Sequence, residues 1–369
     1  RTMHALKTLD ALLVAVTQGR VSHASTTDVH ASAQRPGVVA AVASASRVRM
    51  SSQAGHLPLF DIGANLLDHM YEGVYNGKVA HEADLENVLR RAADAGVTDM
   101  LVTAGNLRES RQAIELVRRL RGASPVRLSC TVGVHPTRCL EFEQAPSDGN
   151  SVTTIADLLE VIEDGVRDNT VRALGELGLD YDRLHFCPKD VQMRGFLAQL
   201  DLAEKTGLPL FLHNRNTGGD FIDVIREHRQ RLRGGGVVHS FDGGMDEMKA
   251  LVDLGMHIGI NGCSMRTEEN LQVAASVPLD KLMIETDAPW CQIKRTHAGH
   301  KFIRTTFPEV KKEKWQADAC VKARNEPCHL VQVLEVLAAA RGEDTVSVGA
   351  STYANSDAMF ATLRAASNE

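Results

Sequence analysis

The sequence predicts an α/β protein of the (β/α)8 TIM-barrel class, and three observations carry that prediction. From residue 58 onward, eight short apolar runs alternate with helical patterns, the signature of a parallel sheet. Four of the runs, VRALGELGLD, LPLFLHNR, GGVVHSFDG and KLMIETDAP, each deliver one metal-binding side chain where the run stops: Glu176, His213, His239 and Asp287. Polar residues close nearly every other run as well, among them Asp61, Asn65, Thr103, His135 and Asn261. A ring of polar strand ends suits a closed barrel, whose active sites are built at the carboxyl ends of its strands. An open doubly wound sheet, the alternative, gathers its site at one switch point.

The elements follow in order. LPLFDIG is the first strand, and HEADLENVLRRAADAG its helix, ending on Gly96. TDMLVTAG, a helix over 107–121, VRLSCTVGVHP and a helix near 153–167 come next. VRALGEL is the fourth strand. Its helix starts at Pro188, which suits a first turn, carries a Met193, Phe196, Leu197, Leu200 stripe and ends at Gly207, the spacing of one helical face. LPLFLHN, a helix over 217–229, GVVHSF, a helix over 244–254, MHIGING, a helix over 267–276 and KLMIETD complete eight repeats. Two further helices, 326–341 and 345–365, finish the chain.

Composition sets the outer limits. The 369 residues are 43% hydrophobic and 24% charged with a net charge of −6, which describes a globular core and does not advertise a nucleic-acid binder. No apolar run approaches the ~18 residues that read as a membrane span. Residues 294–324 depart from the acidic average: Lys294, Arg295, Lys301, Arg304, Lys311, Lys312, Lys314, Lys322 and Arg324 face only Glu309, Glu313 and Asp318. Seven cysteines with no CxxC argue against a disulfide scaffold and against a thiolate zinc site, so no role is expected for them and a reducing compartment is. Residues 1–57 are Ala/Ser-rich and basic. They read as a disordered or targeting N-terminal extension to a barrel spanning 58–369, with a start at Met50, an organellar transit peptide and a secretory leader as the competing accounts. The expected location is cytoplasmic or nuclear, or mitochondrial where 1–57 is a transit peptide.

Strand ends hold ligands rigidly, and a metal needs deprotonated ligands so held. Glu176, midway around the ring, is expected to bridge two divalent ions about 3.5–4 Å apart. His213 and His239, on adjacent strands, would share one. Asp287, returning next to the first strand, would hold the other with Asp61 or Asn65 beside it. Each residue has an ordinary alternative: a core histidine, an ion-pair partner for Glu176, or a turn cap for Asp287. All four alternatives holding at matching positions of four strands is a far weaker account than one shared site.

FDIGANL, TVGVHPTRC, ALGELGLDYDRL, FLHNRN, VVHSFDG, KLMIETDAPW and RNEPCHL, in that order, resemble the successive blocks of the TatD family of metal-dependent deoxyribonucleases, within the amidohydrolase-like barrel superfamily. DRLHFCPKD, NGCS and THAGHKFIRT resemble its eukaryotic branch. The resemblance covers Phe60–Phe360. It implies a Mg²⁺-dependent phosphodiesterase that cuts DNA, usually from a 3′ end, with Glu176, His213, His239 and Asp287 as metal ligands and with roles in DNA repair or degradation. Where many relatives of the superfamily carry His-x-His, this chain has Gly63 and Asn65. An oxygen-rich site follows, favouring Mg²⁺ or Mn²⁺, one or two ions, over Zn²⁺.

The expected chemistry is phosphodiester hydrolysis, with Glu176 and Asp287 as the catalytic carboxylates and Asp287 taking a proton from the attacking water. His135, Arg215 and Arg304 would contact the substrate. The basic loop leaves the last strand on the active-site face, and there it can track single-stranded DNA, or RNA, with Trp290, Phe302, Phe307 and Trp315 available to stack bases. No membrane partner is expected, and the chain should act as a monomer or weak homo-oligomer. The rival readings are an amidohydrolase or lactonase acting on a small molecule and a catalytically silent DNA-binding barrel.

Overall fold

The computed structural model describes residues 57–145 and 151–360. The extension expected over 1–57 therefore falls outside the described residues, Leu57 excepted, as does the end of the helix expected to reach 365. Eight parallel strands form one sheet in chain order: β1 (Leu59–Ala64), β2 (Val97–Val102), β3 (Arg127–Val132), β4 (Val171–Asp180), β5 (Leu210–Arg215), β6 (Gly236–Val238), β7 (His257–Ile260) and β8 (Leu282–Ile284). A parallel bridge between Ala64 and Ala288 brings the last strand back to the first. Between and after the strands lie α1 (Leu85–Asp94), α2 (Leu107–Leu120), α3 (Ile155–Arg167), α4 (Lys189–Thr206), α5 (Asp220–His228), α6 (Met245–Asp253), α7 (Glu268–Ser276), α8 (Leu330–Arg341) and α9 (Thr345–Phe360). The expected (β/α)8 barrel is the fold.

Strand alternation sorts the side chains into two layers. Phe60, Ile62, Leu101, Ala173, Phe211, Val237 and Met283 point into the barrel and pack on one another. Their neighbours Leu59, Met100, Leu210, Leu212, Val238, Leu282 and Ile284 face the surrounding helices. α9 adds Phe360 to the inner layer, with its ring 6.0 Å from that of Phe60. Phe60 sits near the start of its strand, so the amino end of the barrel is plugged and the opposite end is left for chemistry.

Several boundaries differ from expectation for identifiable reasons. α1 starts at Leu85 rather than near His81, with Asp84 at its N-cap position and the Asp84 carboxylate turned to Arg324 and Trp315 instead of the helix amides. β4 runs three residues past Leu177, since its ladder with β5 continues through Gly178↔His213 to Asp180↔Arg215. A Cβ on Gly178 (φ 143°) would collide with the His213 carbonyl, so only glycine permits this pairing. α8 is preceded by a tight turn, Pro327–His329, in place of a helix from 326. The long connection from β8 to α8 is pinned by a two-residue parallel ladder, Glu309–Val310 with Cys320–Val321.

Candidate active site

The inward layer of the barrel continues upward into the polar cluster. His213 stands two residues beyond Phe211, His239 two beyond Val237, and Glu285 two beyond Met283, so strand alternation points all three into the mouth. Glu176, on β4, meets them at the centre. Its Oε1 lies 2.8 Å from His213 Nδ1 and 2.7 Å from His239 Nε2. His135, from the loop after β3, brings Nε2 to 3.4 Å from the same oxygen. Donor atoms of His135, Glu176 and His213 all fall within 4.8 Å of one another. Burial opposes charge on Glu176, but the imidazoles of His239 and His135, with the hydrogen bonds from His213 and His239, outweigh it and hold the carboxyl well below its usual range.

Behind these residues stand two carboxylates the sequence reading passed over. Asp180 Oδ2 lies 3.2 Å from His213 Nε2. Glu285, fully buried, lies 3.4 Å from His239 Nδ1 through Oε2 and accepts hydrogen bonds at Oε1 from the Ser240 amide and the Asn261 side chain. Gly63 makes room for it: a Cβ there would sit 2.5 Å from Glu285 Oε2. The sequence signal for Glu285 was its parity with Met283, hidden because the strand was read as ending at Asp287.

Asp287 reaches the mouth by a different route. Its backbone adopts φ 54° just past β8, Asn65 Nδ2 donates to its Oδ1 at 2.8 Å, and the Cys291 thiol donates to Oδ2 at 3.2 Å. Asn65 is itself held by the Thr103 hydroxyl at 2.7 Å, which makes it a positioning residue for Asp287. Burial raises the Asp287 carboxyl to about 6, with Glu285 and Glu176 adding to the effect and His239 opposing it. No hydrogen bond joins Asp287 to Glu176 among the described residues, so the sequence-picked four divide into a contacting trio, Glu176, His213 and His239, and Asp287 at the rim. Asp61 is committed elsewhere: its carboxylate accepts from the amides of Gly63 and Thr286 and the Thr286 hydroxyl. It locks β1 to the end of β8, and burial raises it to about 7.

Proton accounting tests whether the cluster suits a cation. A neutral imidazole carries one N–H, yet His213 and His239 each present both ring nitrogens to carboxylates. Each ring is therefore an imidazolium or shares one of its contacts with a cation. His239 Nδ1 and Glu285 Oε2 are both buried without a hydrogen bond. Imidazole nitrogens and carboxylate oxygens so arranged, with acidic partners behind the rings, are the donor set and support of a divalent metal.

The residues expected to touch substrate are distributed unevenly. Thr137 engages His135 Nδ1 through both amide (3.2 Å) and hydroxyl (2.7 Å), which turns Nε2 toward Glu176. Burial lowers the His135 pKa to about 3 despite Glu176, so this ring offers a hydrogen bond rather than a charge. Arg215 ends β5 opposite Asp180. Arg304 is exposed, its backbone amide bonded to Glu335 of α8 at 2.8 Å, and no hydrogen bond or ion pair joins it to the cluster. The basic loop is less available than its sequence suggests. Arg324 is buried between Asp84 and Glu326, and Lys301 pairs with Glu268. Trp315 donates to Asp84 and stacks on His81, Phe307 packs edge-on against His329, and Phe302 joins the core beneath Lys301. Trp290 alone of the four aromatics is half exposed. It lines a groove of about 800 Å³ that Arg108, Arg119 and Arg138 share with the carboxylates of Asp68, Glu72 and Glu109.

Comparison with known proteins places this geometry in a family. Residues 60–361 match the family model described as TatD related DNase. The chain is 40% identical over 288 residues to deoxyribonuclease Tat-D of Schizosaccharomyces pombe, covering 77% of this chain and 89% of that protein. It is 33% identical over 307 residues to the 3′-5′ ssDNA/RNA exonuclease TatD of Escherichia coli K12, covering 82% and 98%. The crystal structure of a TatD-family hydrolase from Entamoeba histolytica superposes with a TM-score of 0.76 at 35% identity, over 83% of this chain and 98% of the other. With the fold, the strand-end cluster of histidines and carboxylates and these matches in agreement, the chain belongs to the TatD-related DNase family.

Proposed function

We propose that this chain is a metal-dependent deoxyribonuclease that hydrolyses phosphodiester bonds of single-stranded DNA from the 3′ end, RNA being a second substrate. One observation carries the reading: three imidazoles converge on the Glu176 carboxylate at the open mouth of a TatD-family barrel. Glu176, His213 and His239, with Asp287 at the rim, would hold one or two divalent ions, Mg²⁺ or Mn²⁺ given the share of oxygen donors. A bound ion supplies Lewis-acid charge at the scissile phosphate. Asp287, raised by burial to about 6, is matched to accept a proton from the attacking water near neutral pH. The His135 ring, neutral, donates to a phosphoryl oxygen, and Arg215 adds positive charge from the end of β5. Asp180 and Glu285 fix the His213 and His239 rings. The small-molecule amidohydrolase reading is disfavoured by the first strand, where Glu285 fills the space that a side chain at position 63 would take. Residues 58–369 form the proposed catalytic unit, as a monomer or weak homo-oligomer, with 1–57 a disordered or targeting extension.

The test is a single-stranded oligonucleotide labelled at either end, incubated with Mg²⁺ or Mn²⁺ and with EDTA. Immediate release of the 3′ label, a descending ladder from the 5′ label, and loss of both with EDTA are expected. Absence of metal-dependent cleavage refutes the reading, and immediate release of the 5′ label refutes the polarity.

A further inference from the structure

Away from the barrel mouth, the connection between β8 and α8 buries a second group of metal-binding side chains. Cys320 and Cys328 are fully buried and His329 nearly so, and donor atoms of all three lie within 4.8 Å of one another. They occur as C-x₇-C-H, a spacing outside the CxxC patterns by which thiolate sites are read from sequence. The fold supplies what the spacing does not. The ladder between Glu309–Val310 and Cys320–Val321 fixes the first cysteine, and the Pro327–His329 turn presents the second cysteine and the imidazole.

We propose that Cys320, Cys328 and His329 form a thiophilic metal site, of the Zn²⁺ class, distinct from the nuclease centre. The two sulfurs are 3.7 Å apart. Two thiolates each about 2.3 Å from a tetrahedral zinc are separated by about 3.8 Å, so the pair is already spread along one edge of that tetrahedron and stands well beyond the ~2.05 Å of a disulfide. His329 is oriented from behind: its Nδ1 faces the Asn325 side-chain oxygen at 2.9 Å and the Glu326 amide at 3.1 Å, and the tautomer that donates Nδ1–H to Asn325 leaves Nε2 unprotonated for an ion. Asn325 is in turn anchored on the Thr286 carbonyl at 2.9 Å. Such partners behind a ligating imidazole fix the ring in metal centres.

Charge accounting agrees. Close by, Asp84 and Glu326 are matched by two guanidiniums, Arg91 and Arg324. Two carboxylates and two arginines sum to zero, so a pair of thiolates needs one divalent cation and no other compensation. Three donors from the chain leave one coordination position for a water or an added ligand. The benefit is structural. A connection of some forty residues with little secondary structure of its own is unusual in a compact domain, and a metal would staple its return to the barrel, one turn before α8.

The test is Co²⁺ titration of the full chain under reducing conditions. A saturable thiolate-to-Co²⁺ charge-transfer band is expected, lost in Cys320→Ser and in Cys328→Ser and kept in Cys263→Ser. No band in the wild type, or a band that survives both substitutions, overturns the site. X-ray absorption of the Zn²⁺-loaded Cys263→Ser protein needs no change in the proposed site. A sulfur shell at about 2.3 Å supports it, and a shell of nitrogen and oxygen alone overturns it.

Discussion

Glu285→Gln separates the support of a metal site from its ligands. In the wild type, Glu285 Oε1 is taken by the Ser240 amide and Asn261, while Oε2 faces His239 Nδ1 at 3.4 Å. Glutamine has one acceptor oxygen, and the two donors at the Oε1 position will claim it. Its NH₂ then faces His239 Nδ1, which must give up its proton to accept. The proton moves to Nε2, the nitrogen 2.7 Å from Glu176, and a protonated nitrogen cannot ligate. Changes of this kind behind a ligand weaken metal binding or activity about 10–100-fold, roughly 1.4–2.7 kcal/mol, and the forced tautomer places this one toward the upper end. The assay is Mn²⁺ calorimetry alongside the Mn²⁺ dependence of oligonucleotide cleavage. The fold should survive, because a buried charge is exchanged for a neutral isostere. Mn²⁺ affinity and cleavage both within twofold of wild type would refute the reasoning.

Other consequences follow from the same geometry. Asp61 is raised by burial to about 7 from 3.8, so the folded state holds its proton longer than the unfolded chain. Its stabilising contribution is present at low pH and is lost as pH rises from about 4 through about 7. In urea unfolding of metal-free protein, the advantage of Asp61→Asn should grow by about 2–3 kcal/mol between about pH 5 and about pH 8; a pH-independent difference contradicts this. Arg324→Ala leaves Asp84 and Glu326 sharing only Arg91 and should cost about 3–5 kcal/mol in denaturant unfolding, whereas a loss under about 1 kcal/mol would show the network to be dispensable. Trp290→Ala should raise KM for single-stranded DNA by the equivalent of about 1–3 kcal/mol with kcat retained, and an unchanged KM would remove Trp290 from the binding groove.

Much of the architecture was legible because it rests on local patterns. Apolar runs such as LPLFLH mark strands buried on both faces, and strand alternation carries His213 and His239 inward from Phe211 and Val237. What escaped depended on register or on distance along the chain. Asp180 closes the run VRALGELGLD in sequence, but only the ladder with β5 shows that its carboxylate stands behind His213. The sequence favours Asp287 over Glu285 because KLMIETD reads as one strand, whereas the strand ends at Ile284 and Asp287 turns through φ 54°, so parity with Met283 marks Glu285 alone. Arg324 was counted with a solvated basic patch, because nothing local reveals that Asp84, 240 positions away, is its partner. The four aromatics likewise read alike in sequence, and only their neighbours in space distinguish exposed Trp290 from the buttressed Trp315. The sequence assigns no role to Cys320 and Cys328, since seven cysteines without a CxxC suggest none, and RNEPCHL marks His329 only as part of a family block; the loop ladder that unites the three forms only in the folded chain.

Glu176 and the histidines around it are expected to grip the cation that the nuclease uses. Crystals soaked in Mn²⁺ and measured for anomalous scattering address it directly. A strong peak bound by the Glu176 carboxylate and by His213 or His239 is expected. An enzyme that cuts DNA with Mn²⁺ while its anomalous peaks lie away from Glu176 would contradict it.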